Sequence, residues 1–183
     1  MRAFLAFETS PEVVDRLVEV EEELRGTRAD LKLVEKENLH FSVKFLGEIP
    51  DALVAEIDRR VGALKISRMD VGVHGLGAFP DLRRPRVVWA GVSEKDRQAV
   101  VASATGLIKA LEGVGESDDR PYHPHITLGR VRSPRNQEAL VSVITENSNL
   151  DFGSSTVVAL KLKSSTLTPN GPIYRDVREY PLQ

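Results

Sequence analysis

Cysteine is absent from the 183 residues, which excludes disulfides, thiolate metal sites and thiol nucleophiles together. No run approaches the roughly 18 to 20 apolar residues that a membrane-spanning helix needs. The apolar stretch Ala3 to Phe7 ends at Glu8, too short for a signal-peptide core, and reads as a buried strand. Excess charge of either sign is also missing. Lys and Arg total 25 against 27 Asp and Glu, so there is no global basic field to follow nucleic acid backbones, and any nucleic acid must be met locally. Histidine is scarce, at His40, His74, His123 and His125. What is present, 41% hydrophobic and 28% charged residues, is the composition of a soluble domain with its own core, and a reducing cytoplasm suits it.

Ser10, Pro11 and Glu12 form a helix start, with a cap residue, a proline at the first helical position and an acid near the positive end. Val13, Leu17, Val20 and Leu24 then make one apolar stripe, and Gly26 stops it. A short strand is expected at residues 30 to 34. Leu39, Phe41, Val43 and Phe45 are apolar at every second position, and His40, Ser42 and Lys44 fill the alternate ones, so this strand has an apolar face and a chemical face. Leu53, Ile57, Val61 and Leu64 predict a second helix, and Met69, Val71 and Val73 a further strand. The Gly- and Pro-rich stretch from His74 to Pro85 is expected to connect two halves.

The order then begins again. Residues 86 to 92 predict a buried strand, Ser93 caps a helix with the stripe Val100, Ala104, Leu107 and Leu111, and a polar loop with Glu116, Asp118 and Asp119 follows. In the next strand Ile126 and Leu128 point one way, His125 and Thr127 the other. Ser133 and Pro134 predict the start of a helix carrying Leu140, Val143 and Ile144 inward. Residues 155 to 164 alternate as a strand, and Pro169-Asn170-Gly171-Pro172 turns the chain into a closing strand at about 173–179.

Residues 1–75 and 86–164 thus repeat one order of elements, with His40 and His125 offset by 85 positions. The expectation is one bilobal α+β domain over residues 1–183, with two pseudo-symmetric lobes, antiparallel sheets facing a central cleft, and helices on the outside.

A histidine and a hydroxyl two residues apart on a strand project from one face, about 6.6 Å apart along the chain. If the halves face each other, His40 and Ser42 meet His125 and Thr127 across the cleft. Such a site suits in-line displacement at phosphorus, where the attacking and leaving oxygens lie on opposite sides and need opposite proton transfers. Histidine, with an ordinary pKa of about 6.5, can be neutral in one place and protonated in another near neutrality. The hydroxyls of Ser42 and Thr127 can donate to non-bridging phosphoryl oxygens. The scheme requires neither metal nor cofactor.

At His40-Phe41-Ser42-Val43 and His125-Ile126-Thr127-Leu128 the chain resembles the 2H phosphoesterase superfamily. Lys44 to Glu48, Pro85 to Gly91 and Pro169 to Tyr174 resemble its RNA 2′,3′-cyclic phosphodiesterase branch, also called 2′-5′ RNA ligase. The resemblance implies hydrolysis of an RNA 2′,3′-cyclic phosphate to a 2′-phosphomonoester, and a reverse-type activity joining RNA ends through a 2′-5′ linkage. By that analogy His40 is the acid that protonates the leaving oxygen and His125 the base that activates water; the exchanged assignment stays open. The implied partner is an RNA with a 2′,3′-cyclic phosphate end, tRNA halves being one candidate, met by a cytoplasmic monomer with no protein or membrane partner. The alternatives are the same chemistry on a small cyclic phosphate, such as a cyclic nucleotide or an ADP-ribose cyclic phosphate, and an RNA-end binding module without turnover.

The remaining candidates carry plainer readings. His123 and His125 could hold a metal as neutral imidazoles, but His123 reads better as a loop residue. Arg130 is the best phosphate-gripping candidate in the basic stretch 120 to 135. Regular alternation aims it away from His125, so that role needs a bulge or bend at Gly129. Lys44 shares the His40 face and could attract phosphate. Trp89 and Phe7 read as core residues.

Overall fold

The computed structural model describes residues 1–117, 120–169 and 171–183. Asp118 and Asp119 of the expected polar loop and Asn170 of the expected closing turn lie outside the described residues. The order is β1 (Arg2–Glu8), α1 (Pro11–Gly26), β2 (Leu31–Leu33), β3 (His40–Glu48), α2 (Leu53–Gly62), β4 (Met69–Phe79), β5 (Val87–Val92), α3 (Glu94–Ala110), β6 (Ile126–Val131), α4 (Gln137–Glu146), β7 (Asp151–Val157), β8 (Ala159–Thr168) and β9 (Gly171–Pro181), with a 3-10 turn at Lys36–Asn38.

The strands form one curled antiparallel sheet in the order β7-β4-β5-β6-β3-β1-β8-β9, with β2 added along β6. The expected α+β antiparallel architecture is borne out. The strands flanking the cleft join at its floor, where β3 pairs with β6 through Phe41 and Ile126. Helices α1, α3 and α4 pack against β7 and β4. The stripe Val13, Leu17, Val20 and Leu24 of α1 is buried, as are Val100, Ala104 and Leu107 of α3 and Leu111 at its C-cap, so 3.6-residue periodicity translates directly into core packing.

Ser10 occupies the predicted cap position, yet its hydroxyl makes no cap hydrogen bond. It accepts from the Thr156 N–H at 2.9 Å, while the Ser10 N–H donates to Ser155 Oγ at 2.8 Å. The helix start is thereby tied to β7.

Three boundaries differ from the sequence expectation. The supposed connection from His74 is strand as far as Phe79. Its glycines are strand devices: Gly75 has φ +74° at a register break, and a Cβ on Gly77 would run into the Trp89 ring. The expected strand 155 to 164 is two strands parted at Val158, because β7 pairs with β4 on one side of the sheet and β8 with β1 on the other. Helix α4 starts at Gln137 and not at Pro134. Asn136 takes the left-handed conformation at φ 53° and donates its amide to the Thr27 and Arg28 carbonyls, both at 3.2 Å, a tertiary anchor that local capping rules cannot see.

Candidate active site

Antiparallel pairing of Phe41 with Ile126 dictates what surrounds it. The residue after one is level with the residue before the other, so His40 stands level with Thr127 and Ser42 with His125. Phe41 and Ile126 are buried in the core, so the four polar side chains project from the opposite face. Each histidine is diagonal to the other, a separation of about 7–8 Å between neighbouring strands, which leaves room for a phosphate group between them. All four line one cavity of about 740 Å³, together with Arg130 and Tyr174.

His40 opens β3 and is only 8% exposed. Its ring stacks on Phe4 at 5.2 Å and 24°, and Tyr174 of β9 meets it edge-on at 5.6 Å. Burial, and then the nearby Lys163 ammonium, push its pKa down to about 4, since a charged ring there loses water and faces a like charge. The resting ring is neutral at pH 7.

His125 lies just before β6. Its Nδ1 donates to the His123 carbonyl oxygen at 2.6 Å. A carbonyl can only accept, so this bond selects the Nδ1–H tautomer and leaves the lone pair of the neutral ring on Nε2. Phe79 packs edge-on against the ring at 5.0 Å. Burial lowers the pKa most, the bond to the His123 carbonyl opposes this, and His123 and Arg130 lower it further.

Two register shifts decide the neighbours. On β5, Trp89 pairs with Thr127 but Val87 with Arg130, so one extra residue of β6 is accommodated around Leu128. The bulge returns Arg130 to the face of Thr127, and it lines the cavity; the irregularity needed at Gly129 exists one residue earlier. On β3, Ser42 pairs with Ala6 but Lys44 with the core residue Leu5. Lys44 still lines the cavity with His40, but the shift pairs it with a core residue and its ammonium is engaged, donating to the Glu116 carbonyl at 3.0 Å. Phe45, expected inside, is 56% exposed and packs on Phe4 at 5.7 Å.

Phe7 is core, as expected. Trp89 is only half-buried and packs on Phe79 and His123, both at 5.2 Å, behind His125. His123 supplies its carbonyl to His125 and its ring to Phe79. Sequence reasoning missed Phe4, Phe79 and Lys163. Phe4 was hidden inside a uniformly apolar run, and Phe79 and Lys163 reach the site through strand pairings that no local spacing encodes. Among the described residues, no three histidine or carboxylate side chains converge as metal ligands and no helix is long and apolar enough to cross a membrane.

Comparison with known proteins gives consistent relatives. The family model described as the 2′-5′ RNA ligase superfamily matches residues 11–165. A protein of Aeropyrum pernix named RNA 2′,3′-cyclic phosphodiesterase is 36% identical over 168 residues, covering 91% of this chain and 95% of its own. One of the same name from Methanothermobacter thermautotrophicus is 35% identical over 184 residues, covering 100% and 99%. Among solved structures, TT0787 of Thermus thermophilus superposes with a TM-score of 0.79 at 28% identity, covering 100% of this chain and 98% of that one.

Proposed function

The chain belongs to the 2′-5′ RNA ligase superfamily, and from that premise we propose that it hydrolyses RNA 2′,3′-cyclic phosphate ends to 2′-phosphomonoesters, with His40 as proton donor and His125 as proton acceptor. The observation that carries this reading is the Phe41–Ile126 pairing, which sets both imidazoles on one face of one cavity. The name shared by relatives at 35–36% identity supports RNA as the substrate class.

In this mechanism His125 Nε2, whose lone pair follows from the bond at Nδ1, takes a proton from water as the water oxygen attacks phosphorus. The bond from phosphorus to the 3′-oxygen breaks on the far side, and His40 hands its proton to that oxygen. The product is a 2′-phosphomonoester with a free 3′-hydroxyl. The Ser42 and Thr127 hydroxyls donate to the non-bridging oxygens, and the Arg130 guanidinium balances their charge. His40 must be charged to act as an acid, yet it rests neutral. The entering phosphodiester anion stabilises the imidazolium, so protonation of His40 is coupled to substrate binding. Where a 5′-hydroxyl replaces water, the same transfers give a 2′-5′ linkage.

The test is turnover of an oligonucleotide ending in a 2′,3′-cyclic phosphate, in EDTA. His40→Ala and His125→Ala should each lower kcat by about 10² to 10⁴-fold with binding retained. Undiminished turnover in both would reject the reading. Equal turnover of a mononucleoside cyclic phosphate would favour the small-molecule alternative, and binding without turnover in the unaltered protein the binding-module alternative.

A further inference from the structure

Behind His40 lies a charged cluster that the acid–base scheme does not use. Lys163 on β8 is 7% exposed, although lysine is seldom buried without partners. Its ammonium lies 2.8 Å from Glu8 Oε1 of β1 and donates to Asp176 Oδ1 of β9 at 2.8 Å. The other oxygen of Asp176 accepts from Lys161 at 2.7 Å. Register places the cluster on the cleft face. Glu8 is the direct cross-strand partner of His40, and Lys163 is that of Phe4, on which the His40 ring stacks.

A carboxylate directly opposite a histidine on neighbouring strands is within side-chain reach. Left alone, Glu8 would pair with His40, draw the ring toward β1 and hold it as an imidazolium. We propose that Lys163 is a positioning residue for His40: by clamping the Glu8 carboxylate against β8 and β9, it keeps the imidazole free to address the phosphorus. This rests on the reading of His40 as the proton donor.

The titratable and charged groups facing His40 are Glu8 from β1, Lys161 and Lys163 from β8, Tyr174 and Asp176 from β9 and, across the seam, His125 just before β6 and Arg130 on it. Glu8 is the group that removal of Lys163 would release. The ammonium has a second effect, since a like charge nearby disfavours an early proton on His40. The substrate's own phosphate then becomes the anion that charges the ring.

The experiment follows the His40 ring by NMR titration in the full-length, substrate-free protein, with its resonance assigned from His40→Gln. Lys163→Met should raise the His40 midpoint by about one to three pH units, the range for a newly available carboxylate, and lower kcat more than it changes KM. Lys163→Arg should stay near the unaltered protein. Glu8→Gln combined with Lys163→Met should return the midpoint most of the way, because the released carboxylate is gone. Lys163→Gln, which keeps a donor but loses the charge, reads the same quantity if the apolar variant fails to fold. An unchanged midpoint in Lys163→Met and Lys163→Gln overturns the proposal, as does an equal rise with and without Glu8. The titration needs no turnover, so it is independent of the catalytic test: an active His40→Ala variant would reject the acid role and leave the titration result standing.

Discussion

Phe41 and Ile126 face each other across the seam between β3 and β6, and both are essentially buried. Their contact joins the β1-β8-β9 side of the sheet to the β4-β5-β7 side, and it sets where the two histidine-bearing motifs stand relative to each other.

Ile126→Ala should therefore affect two properties. Truncating a fully buried isoleucine should cost about 2–5 kcal/mol in urea unfolding. The motifs lose their common reference at the same time, so kcat should fall while KM changes little. A loss below about 1 kcal/mol with unchanged kcat would show that the seam does not hold the spacing.

The pH profile of kcat/KM reports the free enzyme. Both site histidines are depressed below 6.5, His40 to about 4. The form with one imidazolium and one neutral ring is therefore most populated on the acid side of 6.5. kcat/KM should peak there and fall about tenfold per unit at higher pH. In kcat the peak should move toward neutrality, because the bound anion favours the imidazolium. A kcat/KM maximum above about pH 7.5 would contradict this.

Coupled titrations do not say which ring gives the proton, but leaving-group chemistry does. A phosphodiester with a weakly basic aryl leaving group needs no proton donor. On that substrate His40→Ala should come within about tenfold of the unaltered enzyme, while His125→Ala stays down by about 10²-fold or more. Recovery in His125→Ala alone would exchange the two roles.

Glu21 on α1 is 4% exposed, and its Oε1 has no hydrogen-bond partner. Burial pushes its carboxyl up to about 8, partly offset by Arg25, with Glu35 and Glu22 adding to the rise. The folded state keeps a proton that the unfolded state sheds above its ordinary value of 4.5. The stability this contributes is thus full below pH 4.5 and is lost as pH rises through 8. Glu21→Gln should stabilise the fold by about 1–3 kcal/mol at about pH 8 and change it little at about pH 4.5. Equal effects at both values in urea unfolding would refute the titration.

Local spacing carried much of this protein. The stripe from Val13 to Leu24, the alternation around His40 and the paired hydroxyls at Ser42 and Thr127 follow from helix and strand periods, which are properties of short segments. The errors fell where a residue serves a distant strand. Gly75 and Gly77 look like loop glycines until Trp89 and a register break explain them, and Pro134 looks like a helix start until Asn136 is seen bound to the end of α1.

By itself the sequence determined the kinds of elements, their amphipathic faces and the four polar residues held ready on two strands, because side-chain direction within a strand is a local matter. Only the tertiary structure decided that β3 and β6 are neighbours, that a bulge near Leu128 returns Arg130 to Thr127, that the Lys44 ammonium is tied to the Glu116 carbonyl, and that Lys163 stands behind His40. Those outcomes depend on cross-strand register, and a one-residue shift in register reverses every side chain beyond it.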